Sequence, residues 1–215
     1  MDRDVALDHV ERIVGTVESV EMPVPVREVW VYGDVALGLD PVERLEVYVT
    51  KDLLLRDEAP DREAKFREDY GVRGVGRTVR ADWAEAHPEL LRTNDAGYAA
   101  PEQCLAAQLL PDGVEAHLEV CNTGFEANVT QRLEGAAARG AYEVVLDPRG
   151  VCLWAEGARS PTALHRLRAG DLVFPTLVEA LGMLGLEPTE AERAASAVRA
   201  YRDSRSGTTV RGDVV

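Results

Sequence analysis

Short segments with β-strand character, set between helical segments, constrain the fold of this chain more than any other feature of its sequence. Strand periodicity marks residues 26–32, 45–50 and 114–121. A hairpin is predicted to join residues 142–146 to residues 151–157, because the intervening Asp-Pro-Arg-Gly sequence places Pro and Gly where a tight turn requires them. This order of elements predicts an α+β fold with a mixed sheet and flanking helices.

Helical periodicity accounts for most of the remaining chain. Apolar residues three to five positions apart predict an amphipathic N-terminal helix with one apolar face: Val5, Val10, Ile13, Val14 and Val17. Further helical segments are predicted over residues 34–43, 101–110, 125–139, 161–168, 171–186 and 189–204. The tail after them is predicted to be frayed or docked as a strand. We therefore predict an α+β domain over residues 1–157 and a helical C-terminal subdomain with a short tail over residues 158–215.

Composition limits the class of protein. A chain of 215 residues, 46 % of them hydrophobic, buries a sizeable core without a disulfide or metal staple. Three cysteines without CxxC spacing argue against a disulfide framework and against a zinc cage. The N-terminal sequence lacks the cationic start of a secretion signal, and no apolar run approaches the ~18–20 residues of a membrane helix. A cytoplasmic protein with no membrane partner is therefore predicted.

Charge indicates the solvent in which the chain works. The formal net charge is −14, and 22 of the 24 basic residues are arginines, the others being Lys51 and Lys65. Molar salt shortens the Debye length to about 3 Å and screens the repulsion within such an acidic surface. The composition therefore predicts a halophilic archaeal source. At that salt, nucleic acid binding requires close bidentate arginine contacts, because a diffuse basic patch binds poorly.

A Gly-polar turn and acidic residues inside apolar strands are the candidate functional features. Gly33-Asp34 follows the first predicted strand. Glu46 lies inside the second strand, two positions after Arg44, and Glu119 lies inside the third. Residues i and i+2 of a strand point to the same face, so carboxylates on neighbouring strands can complete the oxygen shell of Mg²⁺ for nucleotidyl transfer. A Gly-polar turn at a helix N-terminus offers N–H groups to a triphosphate.

This arrangement resembles the nucleotidyltransferase fold of the polymerase-beta type over residues 4–155. In that family, a Gly-polar turn is followed by Asp-x-Asp on one strand and by a third carboxylate on a later strand. The resemblance implies phosphate or nucleotide binding at Gly33, Asp34 and Arg44, and catalysis and metal binding at Glu46 and Glu119 if the protein is active. Arg44 stands at the first carboxylate position, so the resemblance implies a catalytically degenerate member. The whole chain also resembles an uncharacterised family of halophilic archaeal proteins.

A glycine- and arginine-rich segment is the second candidate for ligand binding. Residues 71–80 include Arg73, Arg77 and Arg80, and no acidic residue interrupts residues 72–80. Glycines permit close approach of the backbone to an anion, and arginines supply paired donors for phosphate. The alternative is that these arginines pair with carboxylates of the protein itself. The segment has no Walker-type Gly-Lys-Ser/Thr, and the chain has no motif that reads DNA sequence.

The lead hypothesis is a catalytically degenerate nucleotidyltransferase-like binding or regulatory protein whose ligand is a nucleotide or RNA. The first alternative, an active nucleotidyltransferase, requires Mg²⁺ as cofactor at Glu46 and Glu119. The second alternative is an adaptor for a protein partner, with an apolar groove on the C-terminal helices formed by Val173, Leu177, Leu181 and Leu184.

Simpler interpretations of the same acidic residues remain open. Glu46 and Glu119 are compatible with solvent-facing positions on alternating strands, with Arg44 and Glu46 as an ion pair on one face. Arg44 beside both glutamates is also compatible with a salt-bridged replacement for a lost metal site. His117 shares a strand face with Glu119, but one histidine and one glutamate are too few ligands for a metal.

Overall fold

The computed structural model describes residues 1–20, 24–51, 68, 79–81, 84–88 and 90–212. The first half contains α1 (Arg3–Ser19), β1 (Val26–Tyr32), β2 (Leu45–Lys51), β3 (Val79–Arg80), a 3-10 turn (Ala84–Ala86), β4 (Tyr98–Ala99) and α2 (Pro101–Leu109). The second half contains β5 (Ala116–Cys121), α3 (Phe125–Arg139), β6 (Val151–Ala155), β7 (Ala158–Arg159), α4 (Pro161–Ala169), α5 (Leu177–Met183), α6 (Pro188–Asp203) and β8 (Thr209–Arg211).

A mixed, open sheet organises the fold. Within the described residues it has six strands in the order β7-β6-β1-β2-β5-β8, and β3 pairs with β4 separately. Strand β5 is parallel to β2 and to β8, whereas β1 is antiparallel to β2 and β6, and β6 to β7. The predicted α+β class with a mixed sheet is confirmed, and the tail docks as strand β8.

Helix α1 covers the apolar face of the sheet. Asp2 caps the helix by accepting a hydrogen bond from the Asp4 N–H at 2.9 Å. The buried side of α1 belongs to the same core cluster as Val29, Val47 and Leu118 of the three central strands. Val5 is 46 % exposed, so its predicted place on the buried face is wrong. Val5 precedes Val10 by five positions, which correspond to about 140° around a helix, so the two side chains point in different directions.

The second core lies between helices α3, α5 and α6, and its members are Leu133, Ala136, Tyr142, Val145, Leu177, Leu181, Ala191, Ala194, Ala195 and Val198. Helix α3 ends, as predicted, before Gly140, whose φ of 66° allows its N–H to reach the Ala136 and Ala137 carbonyl oxygens. At its other end, Phe125 stacks on Trp30 of β1 with ring centroids 4.7 Å apart. Helix α3 is thereby fixed to the sheet.

The predicted hairpin between residues 142–146 and 151–157 is wrong. Strand β6 pairs instead with β1 and with β7, and residues 142–146 form no strand. Glu156 and Gly157 connect β6 to β7 with φ angles of 52° and 81°. Two consecutive positive φ angles give the turn that matches the twist of paired strands. Tyr142 and Val145 are buried between helices instead, so their apolar surface is removed from water without a strand.

Two predicted helices are also wrong in extent. Residues 34–43 contain hydrogen-bonded turns, in which the Leu37 N–H donates to the Gly33 carbonyl oxygen at 2.9 Å and the Leu39 N–H to that of Asp34 at 3.0 Å, and no helix. Within residues 171–186, only Leu177–Met183 is helical. Thr176 and Glu179 form a capping box there, which starts the helix late, after Pro175.

Residues after 157 also take part in the main sheet, because β7 and β8 lie at its two edges. The division into residues 1–157 and 158–215 stays a prediction. None of the helices in the described ranges has the length and apolar character needed to cross a membrane.

Candidate functional site

Strand register brings several polar residues to one face of the sheet. Glu46 of β2 lies opposite Tyr32 of β1 and His117 of β5, and Glu119 lies opposite Arg211 of β8. Paired residues and residues two positions apart share a face, so these five side chains lie on the same side. Helices α3 and α6 each add an arginine to that side. We call this group the ion cluster, together with the charged side chains that pair with it or line the same cavity, namely Asp34, Asp147, Arg44, Arg132, Arg149, Arg202 and Arg205.

Glu46 is held by an arginine from α6. Arg202 Nη2 donates to Glu46 Oε2 at 2.5 Å and to Asp34 Oδ1 at 2.9 Å, while its Nε donates to Glu46 Oε1 at 3.1 Å. Burial raises the pKa of Glu46, and Arg202 opposes that shift without cancelling it. Burial would lower the pKa of Arg202, but Glu46 and Asp34 raise it above its usual value. Arg202 therefore occupies the place where a cation between the two carboxylates would lie.

Glu119 is fully buried and has three cationic or donor partners. It accepts from His117 Nε2 at 2.7 Å, from Arg132 Nη2 at 3.0 Å, and from Arg211. Burial alone would raise the pKa of Glu119, but the hydrogen bonds from His117 and Arg211 and the charges of Arg211 and Arg132 lower it to about 2. Glu119 is therefore a carboxylate at neutral pH, and its oxygens are already in use.

His117 links this carboxylate to the edge strand. With its proton assigned to Nε2, which faces Glu119, its Nδ1 accepts from Thr209 Oγ1 at 2.7 Å and from Arg205 Nη1 at 3.1 Å. Burial lowers the pKa of His117, and the Glu119 carboxylate opposes this shift. A neutral histidine at neutral pH follows from that balance.

Arg44 and Arg205 are the two cluster arginines for which the described residues supply no carboxylate partner. Arg44 is 8 % exposed and donates to the Arg205 carbonyl oxygen through Nη2. Arg205 lies over the Tyr201 ring, with its guanidinium carbon 4.0 Å from the ring centroid. The ion pair between Arg44 and Glu46 that the sequence suggested is not formed, because Glu46 binds Arg202 instead.

The ion cluster is positively charged, although the chain is acidic. In the described part of the chain it holds six arginines and four carboxylates: Arg44, Arg132, Arg149, Arg202, Arg205, Arg211, Asp34, Glu46, Glu119 and Asp147. The pair of Arg149 and Asp147 is bidentate, with contacts of 2.9 and 2.7 Å. Two positive charges therefore remain in excess among these buried and half-buried groups, before the exposed Glu43, Glu115 and Asp203 of the adjoining cleft are counted.

Two cavities adjoin the cluster in the described structure. The outer cleft has a volume of about 350 Å³ and is lined partly by Arg44, Arg202 and Arg205. Its other lining residues include the exposed acidic residues Glu43 and Glu115. The inner cavity has a volume of about 30 Å³ and shares the same three arginines.

The predicted Gly33-Asp34 turn lies at the cluster, but its groups have partners within the protein. A Cβ atom at Gly33 would lie 1.7 Å from Glu46 Oε2 and would require that carboxylate to move, and the φ of 66° also favours glycine there. Asp34 accepts from the Glu43 N–H at 3.0 Å and from Arg202. Because residues 34–43 form no helix, the predicted helix N-terminus for a triphosphate is absent from these residues.

Most of the arginine-rich segment, residues 71–80, lies outside the described residues. Arg73 and Arg77 lie outside the described residues. Arg80 lies in β3, which pairs with β4. Their predicted role in phosphate or nucleotide binding therefore stays a prediction.

Sequence reasoning missed the arginines that neutralise the two glutamates, namely Arg132, Arg202 and Arg211. One signal was present for Arg132. It lies on the buried side of α3 with Phe125, Val129 and Leu133, and an arginine on an apolar stripe requires a buried partner.

The apolar groove predicted on the C-terminal helices is not formed as expected. Leu177 and Leu181 are 2 % and 0 % exposed and belong to the second core. Val173 and Leu184 are 93 % and 39 % exposed.

The site has no dedicated cage of metal ligands: among the described residues, no group of three or more His, Cys, Asp and Glu side chains is arranged to hold a metal ion. Fold and site together define an α+β protein with a mixed open sheet and a buried arginine–carboxylate cluster on one face. The chain belongs to a family of unknown function, DUF7095, whose sequence model matches residues 2–215. Nothing matches it among curated proteins or among solved structures.

Proposed function

We propose that this chain is a nucleotidyltransferase-like protein that has lost catalysis and binds the phosphate of a nucleotide or RNA in the outer cleft. The observation that carries the proposal is the placement of arginines at both candidate metal carboxylates. Arg202 lies against Glu46, and Arg132 and Arg211 lie against Glu119. A guanidinium cannot be deprotonated in proteins, so a divalent cation would have to displace a fixed positive charge.

The two arginines without a carboxylate partner supply the attraction for phosphate. Arg44 and Arg205 both line the outer cleft, and neither forms an ion pair with a carboxylate among the described residues. Guanidinium groups bind phosphate oxygens through paired, charge-assisted hydrogen bonds. The cleft volume of about 350 Å³ is within the range of small-ligand sites, about 300–1,000 Å³. A mononucleotide or a single nucleotide of RNA is therefore a suitable ligand by size, and Arg44 and Arg205 offer donors to its phosphate although the lining holds five carboxylates and three arginines.

The acidic residues of the cleft affect the salt dependence of binding. Glu43, Glu115 and Asp203 line the same cleft and are exposed. Their charges repel a phosphate at low ionic strength and are screened at molar salt, where the Debye length is about 3 Å. Contacts to Arg44, which is buried, are screened much less. We therefore expect binding to persist at molar KCl.

The test is equilibrium dialysis of labelled ATP, AMP and a short single-stranded RNA at 2 M KCl, with Mg²⁺ or with EDTA. Binding that is equal in both conditions and that weakens at least tenfold in Arg205→Gln supports the proposal. Arg199→Gln is the control, because Arg199 is an exposed arginine of helix α6, six positions before Arg205. A variant with Arg73→Ala and Arg77→Ala separates the cleft from the arginine-rich segment. Loss of binding only in that double variant would move the site to the segment.

The two alternatives have distinct outcomes in the same samples. Transfer of label from ATP to an acceptor in the presence of Mg²⁺ would replace the proposal with the active nucleotidyltransferase. Absence of binding for all three probes, with an intact fold, would contradict the proposal. The adaptor alternative has lost two of its four residues, because Leu177 and Leu181 are buried in the second core.

A further inference from the structure

The inner cavity is surrounded by donors that lack acceptors. Three of its lining residues keep a buried donor atom without a partner in the described structure: Tyr32 Oη, Arg44 Nε and Arg211 Nε. Tyr32 is 3 % exposed and Arg44 is 8 % exposed. A buried polar group without a partner costs about 1–3 kcal/mol, so three around one cavity indicate a missing occupant that accepts hydrogen bonds.

The acceptors near the cavity are already engaged. Glu46 accepts from Arg202, and Asp147 accepts from the backbone and side chain of Arg149. Tyr32 is protonated, because burial raises the pKa of its hydroxyl well above the usual value and the nearby Glu119 and Glu46 raise it further. An occupant that only accepts hydrogen bonds and carries negative charge matches these donors and offsets the excess arginine charge.

Size excludes the ligand of the outer cleft from this cavity. Its volume of about 30 Å³ is the space of one or two water-sized particles. A phosphate group, with a phosphorus and four oxygen atoms, does not fit. A water molecule also fits, but it adds no negative charge beside the four arginines and two carboxylates that line the cavity.

We propose that the inner cavity binds a monatomic anion, a halide such as chloride, between Tyr32, Arg44 and Arg211. The ion accepts from the phenol of β1, from the guanidinium of Arg44 immediately before β2, and from that of Arg211 in β8. It therefore ties the edge strand β8 to the centre of the sheet. The inference goes beyond the proposed nucleotide site, because it concerns a different cavity and a different ligand.

Chloride NMR and crystallography test this inference on the ligand-free protein. The ³⁵Cl line should broaden in the presence of the protein at submolar KCl, and added bromide should reverse the broadening. Crystals grown in KBr should show an anomalous bromide peak within hydrogen-bond distance of Tyr32 Oη. A structure with water or no density there, together with no saturable ³⁵Cl broadening, would overturn the proposal.

Two tyrosine variants supply the matched comparison. Tyr32→Phe removes one donor to the ion, and we expect halide affinity to fall about tenfold. Tyr142→Phe is the control, because Tyr142 is also buried but its hydroxyl donates to Glu190, away from the cavity. Equal halide affinity in both variants would place the ion elsewhere. If Tyr32→Phe fails to fold, the bromide peak in the parent protein decides alone. Failure of nucleotide binding does not affect this result, since no nucleotide is present.

Discussion

Arg202 and Glu46 are 156 positions apart in sequence, yet Nη2 of the arginine lies 2.5 Å from Oε2 of the glutamate. The same nitrogen lies 2.9 Å from Asp34 Oδ1. One guanidinium from helix α6 therefore compensates two buried carboxylates, one on strand β2 and one in the turn after β1. No other cation contacts Glu46 among the ion pairs of the described residues.

Replacing Arg202 should destabilise the fold strongly. Arg202→Ala leaves Glu46 and Asp34 buried without their cation, and breaking such a pair costs about 3 kcal/mol. For a chain of this length, that cost corresponds to a drop in Tm of about 6–12 °C. Thermal unfolding at 2 M KCl measures it, with Arg199→Ala as the exposed control on the same helix. Equal melting temperatures for the two variants would show that the cluster does not stabilise the fold.

Glu119 should contribute to the acid sensitivity of the protein. Its pKa is lowered to about 2 in the folded chain from a usual value of 4.5. A carboxyl with a depressed folded pKa stabilises the fold fully above its unfolded pKa, and this contribution is lost as the pH falls through the folded value. The free energy of unfolding should therefore fall between pH 4.5 and pH 2, and the fall should be shallower in Glu119→Gln.

Urea unfolding across that pH range measures the difference. The raised pKa of Glu46 acts with the opposite sign, but both proteins share it. Glu115→Gln is the control, because Glu115 is exposed immediately before the same strand. If Glu119→Gln and Glu115→Gln change the fall in the free energy of unfolding between pH 4.5 and pH 2 equally, Glu119 is not the cause of that fall.

Removing the arginines should reopen a cation site. Arg44→Asp adds a carboxylate two positions before Glu46, in the lining that the two residues share, but Arg202 still occupies Glu46 and Asp34. We expect Arg44→Asp alone to bind Mn²⁺ no better than the parent. The double variant with Arg44→Asp and Arg202→Ala should bind at least tenfold more tightly, because three carboxylates then lack a cation.

Isothermal titration or Mn²⁺ electron paramagnetic resonance measures that affinity, with circular dichroism as the check on folding. A folded double variant that gains no Mn²⁺ affinity would argue against descent from a metal site. Tight binding by Arg44→Asp alone would show that Arg202 does not close the site.

Salt should stabilise the protein through screening of its acidic surface. The net charge of −14 predicts maximal stability above about 1 M salt, where repulsion between exposed carboxylates is screened. Melting temperatures in KCl and in potassium glutamate at equal ionic strength should both rise with concentration. Screening is common to both salts, whereas only KCl supplies a halide to the inner cavity. An unchanged Tm from dilute buffer to 2 M in both salts would contradict the prediction.

Local sequence patterns were sufficient for the central elements. Strand β1 and helix α3 occur where two-residue and helical periodicity predicted them, because each buries one continuous face. The choice of strand partner was not local. Strand β6 pairs with β1, more than a hundred positions earlier, whereas the Asp-Pro-Arg-Gly turn pointed to the adjacent residues 142–146.

The same distinction applies to the site. Glu46 and Glu119 were identifiable from the local sequence alone, because an acidic residue between the apolar residues of a strand requires a charged or hydrogen-bonding partner when it is buried. Two of their partners were not identifiable, because Arg202 and Arg211 lie on a helix and an edge strand that no local pattern connects to the glutamates. Which cation meets which carboxylate depends on the register of β5 with β8 and on the packing of α6.

The distance along the chain between the two halves of the ion cluster has a consequence for synthesis on the ribosome. Residues 34, 46 and 119 are translated well before residues 202 and 211, and at about 5–20 residues per second the 156 positions from Glu46 to Arg202 take about 8–30 s. During that interval the apolar face can already pack against α1 and α2, while the polar face must keep its carboxylates hydrated. The apolar side of the sheet can therefore close before the polar side, whose carboxylates gain Arg202 and Arg211 only once those residues have been synthesised.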